Sequence, residues 1–115
     1  MNERIRVLIF SQPRCNPLTR VIDNTLDTLR GIVGGNIQAV NPTHGDSAAV
    51  LICNVDGKTT GLIPNRFLLD KDGAAYDCVF GTFLIAGDGD EEFTSLTDEQ
   101  IQLYTAPRNK GDLYW

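Results

Sequence analysis

A chain of 115 residues, 42% apolar and 22% charged, has material for one hydrophobic core and falls outside the low-hydrophobicity, high-charge regime of disorder. Its formal charge of −5 argues against general nucleic-acid binding, which relies on Lys and Arg to displace counterions from phosphates. Cys15, Cys53 and Cys78 have no C-x-x-C spacing and fit a reducing, cytoplasmic compartment; the charged start Glu3-Arg4-Ile5-Arg6 predicts neither a signal peptide nor a membrane span.

Arg6 to Phe10 is β-prone and almost wholly apolar after its first residue, so it reads as a buried strand, ended by Ser11-Gln12-Pro13 and Asn16-Pro17. Thr19 to Ile22 is either its hairpin partner or the start of a helix, and the partner is favoured. Ile22, Leu26, Leu29 and Val33 then recur at intervals of four, three and four, one face of a helix with Asn24 or Thr25 as N-cap. Gly34 and Gly35 stop it, and a left-handed cap explains them better than a ligand site does.

Ile37 to Val40 is a short strand and Ala48 to Cys53 a fully apolar one. Asn54-Val55-Asp56-Gly57-Lys58 reads as a hairpin turn that returns Thr60 to Ile63 antiparallel to Val50 to Cys53. Pro64 is expected to end that strand and open a short helical segment through Asn65, Arg66, Phe67 and Leu68. After the polar turn Asp70-Lys71-Asp72-Gly73, Cys78 to Ala86 reads as a second long strand with Gly81 as a bulge or close-approach point. A final helix begins at Ser95 or Thr97, with Thr97 and Gln100 at capping-box spacing, and is limited by Pro107. Together these elements predict a single α+β domain over residues 1–115. Its mixed or mainly antiparallel sheet has about five strands, with one main helix and a short C-terminal helix, and its hairpin–helix–strand opening suits a β-grasp-like arrangement.

Chemistry is sparse. His44 is the only histidine and stands in a polar loop, Cys15 carries no mark of an activated thiol, and neither builds a triad locally. Dinucleotide and P-loop fingerprints are absent. Counting twelve from Asp70 puts Gly81 where a calcium loop needs a bidentate acid, and three scattered cysteines do not suggest zinc. No metal, cofactor or catalytic residue is therefore expected. The most informative polar group is Asn65-Arg66, a planar amide beside a guanidinium, which with Lys58 and Asn54 can read a phosphate, carboxylate or base edge. Asp88, Asp90, Glu91 and Glu92 form an acidic loop suited to contact with a protein, although five excess charges are few for a whole-surface DNA mimic.

Four stretches, IDNTLDTLRGIVGG, VLICNVDGKTTGLIPNR, GTFLIAGD and FTSLTDEQIQLY, resemble a domain-of-unknown-function family of small proteins from bacteria, phages and other mobile elements. The likeness runs from about Arg6 to Tyr104 and includes the Leu29 to Gly35 helix end, Asn54, Gly57, Gly61, Asn65, Arg66, Gly81-Thr82 and Gly87. The arginine-rich opening hairpin and the tail APRNKGDLYW depart from it. The resemblance implies a fold and a genomic setting but no reaction. The expected function is that of a non-catalytic accessory protein acting by binding, in counter-defence, through sequestration of a nucleotide-like molecule. The alternatives are an acidic inhibitor of a host nucleic-acid or defence enzyme and a small hydrolase using Cys15 or His44. Neither membrane nor direct nucleic-acid binding is expected, and a homo-oligomer is compatible with the sequence.

Overall fold

Alternation along the apolar strands decides which side of the sheet each residue serves, because successive side chains of a strand point to opposite faces. The computed structural model describes residues 4–13, 15–40, 48–69, 72, 74–89, 91–105 and 113–114. In chain order these form β1 (Arg4–Phe10), β2 (Leu18–Asp23), α1 (Leu26–Val33), β3 (Ile37–Val40), β4 (Ala49–Asn54), β5 (Pro64–Leu69), β6 (Ala75–Phe80), β7 (Phe83–Asp88), β8 (Phe93–Thr94), α2 (Asp98–Thr105) and β9 (Leu113–Tyr114). The main sheet has the order β2-β1-β7-β4-β3, with β8 added beside β7, and a second sheet has the order β6-β5-β9. Every pairing among these strands is antiparallel.

The central strands of the main sheet, β1, β7 and β4, are buried on both faces. Ile5, Val7, Val50, Ile52, Leu84 and Ala86 form one face with Leu29 and Val33 of α1. Leu8, Phe10, Ala49, Leu51, Phe83 and Ile85 form the other, covered by Leu68 and Val79 of the second sheet and by Leu96 and Tyr104 at α2. This two-sided burial is why β1, β4 and β7 read as continuous apolar runs. An α+β domain with a mainly antiparallel sheet and two helices is thus present, as is the opening hairpin of β1 and β2, paired from Arg4↔Asp23 to Ile9↔Leu18.

Helix ends follow the expected chemistry. The Thr25 hydroxyl accepts from the Thr28 N–H, and Gly34 at φ +83° closes α1 by donating to the Arg30 carbonyl. At α2, Thr97 Oγ1 accepts from the Gln100 N–H at 3.1 Å while Gln100 Oε1 accepts from the Thr97 N–H at 2.9 Å, a reciprocal capping box. None of the described helices is long and apolar enough to cross a membrane.

Three expectations from the sequence are corrected. Thr60 to Ile63 does not return along β4, because both edges of β4 are occupied by β3 and β7. The chain instead coils through consecutive turns, with Thr59 and Thr60 N–H donating to the Asp56 carbonyl and Leu62 N–H to Gly57, and then crosses to the second sheet. Pro64 does not open a helix; it is the first residue of β5, where a missing N–H is tolerated. Cys78 to Ala86 is not one strand: Gly81, at φ +82°, breaks it so that β6 pairs in the second sheet and β7 in the first.

Gly81 serves both conformation and space, since a Cβ there would lie 2.6 Å from Leu62 Cδ1, whereas a Cβ at Gly34 would meet nothing within 4 Å. Gly34→Ala should cost roughly 1 kcal/mol through left-handed backbone strain alone. Gly81→Ala should cost at least as much, since the Leu62 side chain must also turn aside, measured as the shift in urea unfolding; a smaller loss would show that the left-handed backbone does not constrain this junction.

Candidate functional site

The Asn65-Arg66 pair, the leading ligand candidate in the sequence, is turned inward. Asn65 is 5% and Arg66 1% exposed. Asn65 Nδ2 donates to the carbonyls of Phe10 and Gly81, both at 2.9 Å, and its Oδ1 accepts from Arg66 Nη1 at 2.8 Å. Arg66 Nη1 also donates to the carbonyls of Asn65 at 3.0 Å and Gln12 at 3.3 Å, and Nη2 donates to that of Cys15 at 2.5 Å. The guanidinium carbon lies 5.2 Å from the centre of the Phe10 ring, which stacks on Phe83 with centroids 4.5 Å apart. Burial pushes the guanidinium down to about 10, still cationic at neutral pH. These two side chains fasten β5 to the β1–β2 loop and to the break at Gly81, and a ligand in solvent cannot reach them.

Asn54 is likewise engaged: its Nδ2 donates to the Val33 carbonyl at the end of α1, and its Oδ1 accepts from the Asp56 N–H at 2.8 Å. It also lines a cleft of about 240 Å³ between the sheets, together with Gln38, Val40, Cys53, Lys58, Asp77 and Cys78. Lys58 Nζ sits 2.5 Å from Asp77 Oδ1, which also accepts from the Cys78 N–H at 2.7 Å. The hydrogen bond and charge of Asp77 raise the Lys58 ammonium, and the same bond lowers the Asp77 carboxyl. Burial first, then the Asp77 charge, pushes the Cys53 and Cys78 thiols up, the wrong direction for a nucleophile.

The acidic loop is a tight hairpin turn between β7 and β8, a strand missed in the sequence because it holds only two residues. Gly89 N–H donates to the Glu92 carbonyl at 3.0 Å, and a Cβ on Gly89 would lie 2.6 Å from that oxygen. Asn24 Nδ2 donates to the Phe93 carbonyl at 3.0 Å, drawing β8 to the start of α1. Between them lies a larger cavity, about 590 Å³, walled by Leu26, Leu29, Ile37 and Phe93 and rimmed by Asp88, Glu91 and Glu92. Of the eight site residues expected from sequence, three therefore meet at this cavity and two at the smaller cleft. Asn65 and Arg66 lie inside the protein, and Asp90 is outside the described residues, as is His44. The apolar wall was not anticipated, although Leu26 and Leu29 were already placed on the helix face. Cys15 is exposed on its loop with its Sγ 3.7 Å from Gln12 Oε1.

Residues 5–108 match the model of a family described as "Domain of unknown function (DUF3846)". The chain belongs to this family. No curated protein and no solved structure matches it. Family membership carries no reaction, so the cavities must be read from their own chemistry.

Two outcomes check this geometry. Arg66→Ala should destabilise the fold by roughly 3 kcal/mol, since the Asn65, Gln12 and Cys15 oxygens lose a charged donor and a space is left beside the Phe10 ring, and Arg66→Lys should not rescue it because an ammonium cannot span them. A loss below about 1 kcal/mol in urea denaturation would contradict the anchoring role. For the exposed Lys58–Asp77 pair, the carboxyl is lowered from 3.8, so its contribution is present above that value and fades as pH falls through the folded value. Asp77→Asn should therefore show its full loss at neutral pH, a small one because an exposed pair is screened, and should flatten the stability profile below about pH 4, where the difference from the parent chain disappears.

Proposed function

We propose that the protein works by binding a protein partner, without catalysis, and that the cavity at the start of α1 receives basic side chains of that partner. The observation that carries this reading is the joining of an apolar wall (Leu26, Leu29, Ile37, Phe93) to a carboxylate rim (Asp88, Glu91, Glu92) in a space of about 590 Å³. Lys and Arg have that division themselves, an aliphatic stem below a charged head, so the stem can cover the wall while the head meets the rim. The size lies in the usual range for ligand sites. Among the described residues, Asp88 and Glu91 form no ion pair with a cation of this chain.

This reading favours the acidic inhibitor over nucleotide sequestration. A nucleotide site built on Asn65 and Arg66 loses its support because both side chains are buried and their terminal nitrogens bond carbonyls of the fold, and Lys58 is neutralised by Asp77. A hydrolase gains none, since the groups that the structure gives the Cys15 sulfur, the Gln12 amide oxygen at 3.7 Å and the charge of nearby Arg66, include no general base. Enzymes that handle nucleic acids present many Lys and Arg side chains, and in the phage or mobile-element setting that the sequence resemblance implies, capping such a surface would serve counter-defence.

The test is calorimetric titration with short peptides that alternate Arg or Lys with Leu, against acidic peptides of the same length. Cationic peptides should bind, more weakly as salt is raised, and the Asp88→Asn, Glu91→Gln, Glu92→Gln triple variant should bind them at least about tenfold less, about 1.4 kcal/mol. Failure of every cationic peptide to bind, or equal binding by the triple variant, would sink the proposal.

A further inference from the structure

β2 is an outer strand of the main sheet, paired with β1 alone in an uninterrupted register, and all its residues but Ile22 are exposed. The direction of its backbone groups follows from Arg6, whose N–H donates to Ser95 Oγ and whose carbonyl accepts from the Leu96 N–H. Ser95 and Leu96 follow β8, which pairs with β7 on the other side of β1. An antiparallel strand sends both backbone groups of a residue to one side and alternates sides along the chain, so Arg6↔Val21 is a non-hydrogen-bonded pair. The N–H and C=O of Val21 therefore face outward, as do those of Thr19 and Asp23. Arg20 agrees: its Nη1 donates to the Thr19 carbonyl at 2.8 Å. Such an edge templates another strand, and LTRVID has neither proline nor bulge to prevent it.

We propose that this edge pairs with the same edge of a second copy of the chain, antiparallel about a two-fold axis at Val21. Outward residues must meet outward residues, so the axis can fall only on a residue of the strand. Centred on Arg20 or Asp23, the pairing opposes like charges, and centred on Thr19 or Ile22 it keeps only about half of the strand in contact. Centred on Val21, it sets Val21 against Val21, Arg20 against Ile22 and Thr19 against Asp23 of the second copy, with no like charges opposed. The exposed Val21 side chains then cover each other, and the Arg20 stem covers Ile22. The strand is thus complementary to itself, which is what a symmetric contact requires.

The experiment is analytical ultracentrifugation of the reduced full chain over a range of concentrations. A species of twice the 12.6 kDa chain mass is expected. Val21→Glu and Val21→Lys each place like charges across the axis and should weaken the dimer at least about tenfold, whereas an equimolar mixture of the two should recover it, since unlike charges then meet. Because either variant can fail by unfolding, the unaltered chain provides a second readout. Hydrogen exchange at the Thr19, Val21 and Asp23 amides, followed by NMR, should slow as concentration rises. A chain that stays monomeric up to about 1 mM, undiminished association of either single variant, no recovery on mixing, or amide exchange that ignores concentration would overturn the proposal.

Discussion

A buried guanidinium held by carbonyl oxygens joins the two sheets of this protein. Arg66 belongs to β5 of the small sheet, yet its donors reach the Gln12 and Cys15 carbonyls of the loop that follows β1 in the large one. Desolvating a cation is expensive, and it is tolerable here because carbonyl dipoles and the Phe10 ring face the charge. Asn65 completes the clamp by bonding the Phe10 and Gly81 carbonyls, so one dipeptide fixes the end of β1, the loop after it and the corner between β6 and β7. Remove it and the second sheet is left attached through Leu68 and Val79, with buried carbonyls unmet.

A matching device acts at the opposite end of β1. Arg6 Nη2 donates to the Leu96 carbonyl and pairs with Asp98, both at 2.8 Å, while the backbone of Arg6 bonds Ser95 Oγ and the Leu96 N–H. Leu96 and Tyr104 are thereby seated on the Leu8–Phe10 face. The Gln100 amide also donates to the Ala48 carbonyl, tying α2 to the entry of β4. Clamped along its length in this way, β1 gives α1, β8 and the β7–β8 turn fixed positions, and the larger cavity lies where those three meet.

Local chemistry made much of this legible in the sequence. Continuous apolar runs marked β1 and β4 and periodicity marked α1, and the Thr25 cap, the Gly34 stop and the Thr97–Gln100 box are signals written in nearby residues. What could not be read was settled by competition between distant segments. Asp56-Gly57 is a good hairpin turn, but β7 takes the β4 edge that a returning Thr60 to Ile63 would need. Asn65 and Arg66 form the same motif whether they face solvent or the core, and only the arrival of the Phe10, Gln12 and Gly81 carbonyls decides. The acidic loop was visible as charge alone; its apolar wall depends on Asn24 drawing Phe93 to α1 across 69 positions of the chain.

The distribution of charge follows from the same competition. Arginines concentrate in the first third of the sequence and acids in a late segment, which suggests a molecule with a basic and an acidic side. Folding commits two of those arginines and two later cations: Arg6 to Leu96 and Asp98, Arg4 to Asp23, Arg66 to the interior and Lys58 to Asp77. Acids enter three of these four commitments singly, but the turn between β7 and β8 keeps Asp88 and Glu91 on the cavity rim with no cation of this chain paired to them among the described residues. The net charge of −5 is therefore spent locally more than globally, and a field gathered over an apolar hollow favours a cation that also has carbon to bury.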